Sequence, residues 1–119
     1  MSEKIKYELG TVGGIYSKIL FSQYPGVGSG TITLSDTVDN YKHIIVCAQY
    51  LKHNQKYRIR TMIIDTDMLR NSDTGTLRMF MLSYGIAERN YYICFTLSEN
   101  TLNISKSSDY LITEVIGIG

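Results

Sequence analysis

The chain has 119 residues, 44% hydrophobic and 19% charged, with a net charge of +1. That is one domain's length with an ordinary apolar share, which excludes disorder and leaves room for a single core. The near-neutral charge has no basic block, which argues against nucleic acid as a partner, and no apolar run reaches the ~18 residues of a membrane span.

Residues 1–14, with Gly10, Gly13 and Gly14, read as a lead-in or linker, and 15–119 as one domain. The opening MSEKIKYELG lacks the apolar core of a signal peptide, so synthesis in the cytoplasm is expected. From residue 15 onward the signal is strand-like. The first strand is 15–21 (IYSKILF), followed by the turn residues Tyr24-Pro25-Gly26 and Gly28-Ser29-Gly30. Ile32 and Leu34 alternate with Thr31 and Thr33, a period of two with one wet face. Residues 42–50 (KHIIVCAQY) are apolar on both faces and read as a central strand. In 57–64, Tyr57, Ile59, Thr61 and Ile63 share one face and Arg58 and Arg60 the other, so the start of that strand is exposed.

Residues 65–73 (DTDMLRNSD) offer the best place for a single helical turn, with Asp65 as its cap. Asn71-Ser72-Asp73-Thr74-Gly75 closes that loop. Strands at 77–82, 91–97, 101–105 and 110–117 complete the set, and Ser98-Glu99-Asn100 makes a tight hairpin in which Asn100 suits a positive φ. About eight short strands at this spacing predict an all-β fold, an antiparallel β-sandwich of jelly-roll type.

Ten tyrosines stand against three phenylalanines and no tryptophan. Tyrosine fills strands, and it also equips binding surfaces with a flat apolar ring and a polar tip. Cys47 and Cys94 each lie within an apolar run and read as buried thiols; their pairing is not decided by spacing.

Residues 19–46, ILFSQYPGVGSGTITLSDTVDNYKHIIV, resemble the C-terminal tip domains of bacteriophage tail fibres and baseplate receptor-binding proteins. The matching pattern is Gly30 to Leu34, then Ser35, Asp36 and Tyr41, then the β-branched strand Ile44 to Val46. The terminal Ile112-Thr113-Glu114-Val115-Ile116-Gly117-Ile118 is close to the way such chains end. The stretch 51–90 carries no such signature. The resemblance implies a trimeric β-sandwich at a virion tail tip, with itself, other virion tail proteins and a host cell-surface glycan or protein as partners.

Catalysis finds little support. His43 falls inside a strand, and His53 in the polar turn Lys52-His53-Asn54-Gln55. No serine sits in a Gly-x-Ser-x-Gly elbow and no Cys/His spacing suits zinc. Asp65, Asp67 and Asp73 share one loop, which is neither the carboxylate pair of a glycosidase nor a calcium loop of EF-hand pattern. The expectation is a binding protein rather than an enzyme, with no cofactor and no metal. A free-standing lectin-like domain and a structural tail or baseplate subunit are the alternatives to a receptor-binding tip. Surplus apolar residues on the first and last strands (Ile15, Ile19, Phe21, Ile112, Ile116 and Ile118) predict self-association; three-fold symmetry comes from the resemblance alone.

Counting antiparallel strands places loops 22–29, 51–56, 83–90 and 106–109 at one end of the sandwich and 35–40, 65–76 and 98–100 at the other. The first group, distal to the lead-in, is the expected ligand end, through Tyr24, His53, Asn54, Gln55, Tyr84, Glu88, Arg89 and Asp109. Lys52 and Asn90 lie in the same loops. The acidic 65–73 loop is expected to stand apart from it.

Overall fold

A computed structural model describes residues 11–12, 15–50, 58–86 and 89–119. The strands are β1 (Thr11–Val12), β2 (Ile15–Val27), β3 (Gly30–Thr33), β4 (His43–Tyr50), β5 (Arg58–Asp65), β6 (Phe80–Ile86), β7 (Arg89–Ser98), β8 (Thr101–Ser108) and β9 (Tyr110–Ile118). They form two antiparallel sheets, ordered β1-β2-β9-β4-β5 and β3-β8-β7-β6. The eight long strands thus make the expected sandwich, and the two-residue β1, inside the expected lead-in, pairs with the start of β2.

The winding is that of a jelly roll in its outer strand pairs. The first long strand pairs with the last (β2 with β9) and the second with the second-last (β3 with β8). The inner strands instead pair as the hairpins β4–β5 and β6–β7.

The core follows from period-two alternation. On β4, Ile44, Val46, Ala48 and Tyr50 point inward; on β7, Tyr91, Ile93, Phe95 and Leu97 do so, and all are buried. Leu102 and Ile104 on β8 meet them, with Tyr110, Ile112 and Val115 on β9 closing the other layer. On β5, Ile64 is buried, Met62 is half-buried and Arg60 is exposed on the inward side. The Ile59 and Ile63 side is the outer face, 51% and 67% exposed.

Three bulges shape the sheets, and each is tied by a hydroxyl. The β2–β9 register slips between Ile19 and Phe21, where Ser35 N–H donates to Leu20 O (2.9 Å) and Ser35 Oγ to Ile19 O (3.4 Å). The β4–β9 register slips beside Thr113, whose Oγ1 donates to Cys47 O (3.4 Å). The β7–β8 register slips beside Ser105, whose Oγ donates to Cys94 O (3.3 Å). Each bulge disrupts the local ladder, and each hydroxyl satisfies a nearby carbonyl.

Several local expectations shift. Tyr24-Pro25-Gly26 does not end the first strand. It lies inside β2, which runs on to Val27 through an irregularity between Ser22 and Val27. Gly26 is suited to this place on two counts: its φ is +112, and a Cβ would stand 2.9 Å from Ile112 O. In the β7–β8 turn the positive φ falls on Glu99 (+53), not on Asn100. The helical turn is present as a 3-10 turn, Thr66–Met68, and Asp65 caps it by accepting from Asp67 N–H (3.0 Å).

Candidate functional site

The two ends of the sandwich separate as strand counting predicts. At the first end, Val38 N–H donates to Glu99 O (2.8 Å), Leu34 N–H to Asn100 O (2.7 Å) and Thr66 N–H to Lys42 O (3.0 Å). The chain terminus joins them, with Gly119 N–H donating to Tyr16 O (2.8 Å). Loops 35–40, 65–76 and 98–100 therefore share the end at which β2 begins.

The opposite end holds Tyr24 and Asp109. Ser107 Oγ donates to Gly28 O (2.7 Å), clasping the β2–β3 connection against the end of β8. A Cβ on Gly28 would lie 2.8 Å from Leu111 Cδ2, so a larger residue here would require the tip of that side chain to move. Tyr24 stands out from the clasp, 67% exposed, and Asp109 turns at φ +58 between β8 and β9, bridged to Tyr92. Tyr84 pairs with Tyr91 at backbone level, and Arg89 pairs with Ile86 at the close of the β6–β7 hairpin. His53, Asn54, Gln55 and Glu88 lie outside the described residues.

Beneath this end is a floor of tyrosines. Tyr50 and Tyr91 reach across from the two sheets and stack, with centroids 4.1 Å apart. Tyr110 pairs with Tyr50 on the neighbouring strand, and all three are buried. Much of the tyrosine excess at this end is therefore core packing, while Tyr24 alone of these four offers its ring to solvent.

The first end carries two clefts lined by described residues. One, of about 300 Å³, is lined by Asp39, Asp67 and Glu99 with Arg70, and by Leu77 and Leu97. A neighbouring one of about 510 Å³ shares Asp39, Thr66 and Asp67 and adds Lys42, His43 and Asp65. Asp39 and Glu99 carry no motif that marks them in the sequence, although loop counting brings their loops to the same end. Arg70 is held by its own loop, donating to Gly75 O (2.8 Å). No group of three or more His, Cys, Asp or Glu side chains among the described residues is placed to hold a metal ion, and Asp65, Asp67 and Asp73 do not converge.

Between these clefts and the core lies a polar lock. Tyr41 Oη donates to Asp36 Oδ2 (2.7 Å), and Asp36 Oδ1 accepts from Thr37 N–H (2.8 Å) and Asn40 Nδ2 (3.0 Å). The Tyr41 bond chiefly holds the Asp36 carboxyl below the usual aspartate range, and burial chiefly pushes the Tyr41 phenol upward. The Tyr41 ring lies on Gly117 and stacks on Tyr16 at 6.3 Å. Tyr41 and Gly117, which belong to the two quoted segments 19–46 and 112–118, thus meet in space.

Cys47 and Cys94 are free and half-buried rather than fully buried, on the outer faces of different sheets. Burial raises the Cys47 thiol pKa, and its Sγ accepts a long bond from Thr61 Oγ1 (3.9 Å).

Searches against protein families and against curated proteins find no match for this chain.

Proposed function

We propose that this chain is a receptor-binding module of a virion tail, which touches a cell-surface glycan or protein through the end of the sandwich distal to β1. The observation that carries the reading is the exposed Tyr24 ring, mounted on a clasp that Gly26, Gly28 and Ser107 pin to β8 and β9. A packed backbone at its base leaves only the two side-chain torsions of Tyr24 to be ordered on contact, and a flat aromatic face with a polar tip suits a polar ligand. The resemblance of residues 19–46 and of the terminal strand to phage tail tips supports the setting. Self-association, a virion location and contact with other tail proteins belong to the same proposal.

The test is binding of purified protein to bacterial cells or glycan arrays. Tyr24→Ala and Asp109→Ala are expected to abolish it, and Asp65→Ala/Asp67→Ala to leave it intact. Loss only with the Asp65 and Asp67 changes moves the ligand to the clefts of the other end. A second reading, a structural tail or baseplate subunit that binds only virion proteins, is favoured by the apolar outer face of the five-stranded sheet. Protein that assembles but never binds cells would select it.

A further inference from the structure

We infer that the outer face of the five-stranded sheet is the surface through which this chain packs against a second copy of itself. The inference rests on the reading above that the chain works in an assembly, and it names the assembling face.

In-register pairing lines up isoleucines across four strands. Ile19 on β2 pairs with Ile116 on β9, Ile116 with Ile45 on β4, and Ile45 with Ile63 on β5. Ile19 is 45% and Ile63 67% exposed, so the row ends in solvent on both sides. Ile118 flanks it on β9, and Ile59, 51% exposed, lies further along β5. The ionisable groups near it, His43 opposite Asp65 and Glu114 opposite Cys47, stand on adjacent rows rather than within it.

The outer face of the other sheet is the internal control. There the corresponding rows are Thr31–Asn103–Thr96 and Thr33–Thr101–Ser98, with Thr31 Oγ1 donating to Asn103 Oδ1 (2.9 Å). The β3–β8–β7 part of that face is polar, with Met81 exposed on β6 beyond it, while the five-stranded sheet carries a row of β-branched apolar side chains across four strands. Edge strands such as β5 are where solvent-facing apolar residues do most harm to solubility, so a covered face accounts for them better than an open one.

A second copy fits this face for three reasons. The face is the outer surface of four paired strands, and the outer surface of a second such sheet can pack against it face to face. It has no lysine or arginine in its rows that would meet a phospholipid surface. The row is also complementary to itself: a two-fold axis along the strands brings Ile19 of one copy over Ile63 of the other, and Ile116 over Ile45. A three-fold ring uses the same row, each face being shared by two neighbours. Four strands ~4.8 Å apart and eight residues long present about 500 Å² in projection, and more with side-chain relief, near the ~800 Å² per partner of a stable interface.

The experiment is light scattering with size-exclusion chromatography at micromolar concentration on the wild type and on Ile19→Lys/Ile63→Lys. Both positions are exposed, so the lysines stay solvated in a single copy, and circular dichroism is expected to be unchanged. The wild type is expected to run as a multiple of 13.5 kDa and the double variant at 13.5 kDa. A monomeric wild type overturns the inference, and so does an oligomer that persists in the double variant, which would place the contact elsewhere, as at the exposed Met79 and Met81 of the other sheet. A monomeric wild type that still binds cells refutes this interface and leaves the receptor reading standing; an oligomer that binds no cells does the reverse.

Discussion

Gly117→Ala tests whether the Tyr41 lock holds the terminal strand to the loop before β4. A Cβ at this position would stand 2.6 Å from Tyr41 Cγ, 2.7 Å from Cδ1 and 2.8 Å from Cδ2. Three neighbouring ring atoms are blocked together, so no single flexible tip can give way. The ring cannot simply lift, because its hydroxyl donates to Asp36 at 2.7 Å and its outer side stacks on Tyr16. Relief requires moving β9 against the ring or breaking the Asp36 bond. Overpacking of this kind costs about 1–3 kcal/mol, and the charge-assisted hydrogen bond, if lost, about 1.5–3 kcal/mol more.

For a domain of this size each kcal/mol lowers Tm by about 3–6 °C, so Gly117→Ala is expected to melt about 5–15 °C below wild type. Thermal denaturation by circular dichroism measures the shift. A double-mutant cycle with Tyr41→Ala separates the contact from any intrinsic effect of alanine in β9. Once the ring is gone the added methyl has space, so Gly117→Ala should cost far less on that background, with a coupling of at least about 1 kcal/mol. Equal costs on both backgrounds, or no cost in the wild type, would refute the lock.

Other outcomes follow from the same geometry. Asp36 has its pKa lowered on folding, so its contribution is full above the unfolded aspartate pKa and lost as pH falls through the folded value; Tyr41 has its pKa raised, so its contribution is full below the unfolded tyrosine pKa and lost as pH rises past it. Stability measured against pH should therefore fall at both extremes, and Asp36→Asn should flatten the acid limb; an unaltered acid limb would remove Asp36 as its source. Asp65→Ala, which deletes the cap of the 3-10 turn, is expected to cost about 0.5–1 kcal/mol in denaturant unfolding. Cys47 and Cys94 sit on the outer faces of different sheets, so reducing agent should leave Tm unchanged; a reductant-sensitive Tm would contradict that placement. Alanine at His53, Tyr84 and Arg89 is expected to weaken cell binding more than alanine at Asp65 and Asp67, read by the same binding assay as Tyr24→Ala.

What was legible in the sequence was whatever period-two alternation and turn chemistry determine locally. The alternation in 31–34, 42–50 and 101–105 placed β3, β4 and β8, because inward and outward residues differ in polarity there. Strand count alone sorted the described loops to their ends, since the strands they join run in opposite directions. Local chemistry failed where tertiary contact decides. Tyr-Pro-Gly reads as a turn, yet β9 draws the chain on through it, with Gly26 fitted against Leu111 and Ile112. The turn residue Glu99 adopts the positive φ that Asn100 would take more cheaply, and its carbonyl receives the Val38 N–H.

The deeper failure concerns β5, and it bears on function. Ile59, Thr61 and Ile63 alternate with Arg58 and Arg60, a pattern that cannot say which face meets the core. Pairing with β4 settles it: Ile64 opposes the buried Ile44, so the odd-numbered isoleucines must point outward. Arg60 then lies opposite Ala48 on the inward side, at the open edge, where its long stem can cover apolar surface and its head reach water. The surplus expected on the first and last strands is present at Ile19 and Ile116, but not at Ile112 or Phe21, and it continues onto β4 and β5. Ile112 belongs to the core and Phe21 packs against it, while the excess that no core absorbs is the Ile19–Ile116–Ile45–Ile63 row. The two outer faces differ in chemistry, with an isoleucine row across four strands of one sheet and threonine and asparagine rows across β3, β8 and β7 of the other. That asymmetry, together with a distal end bearing Tyr24 and Asp109, supports a module held by one face and working from one end.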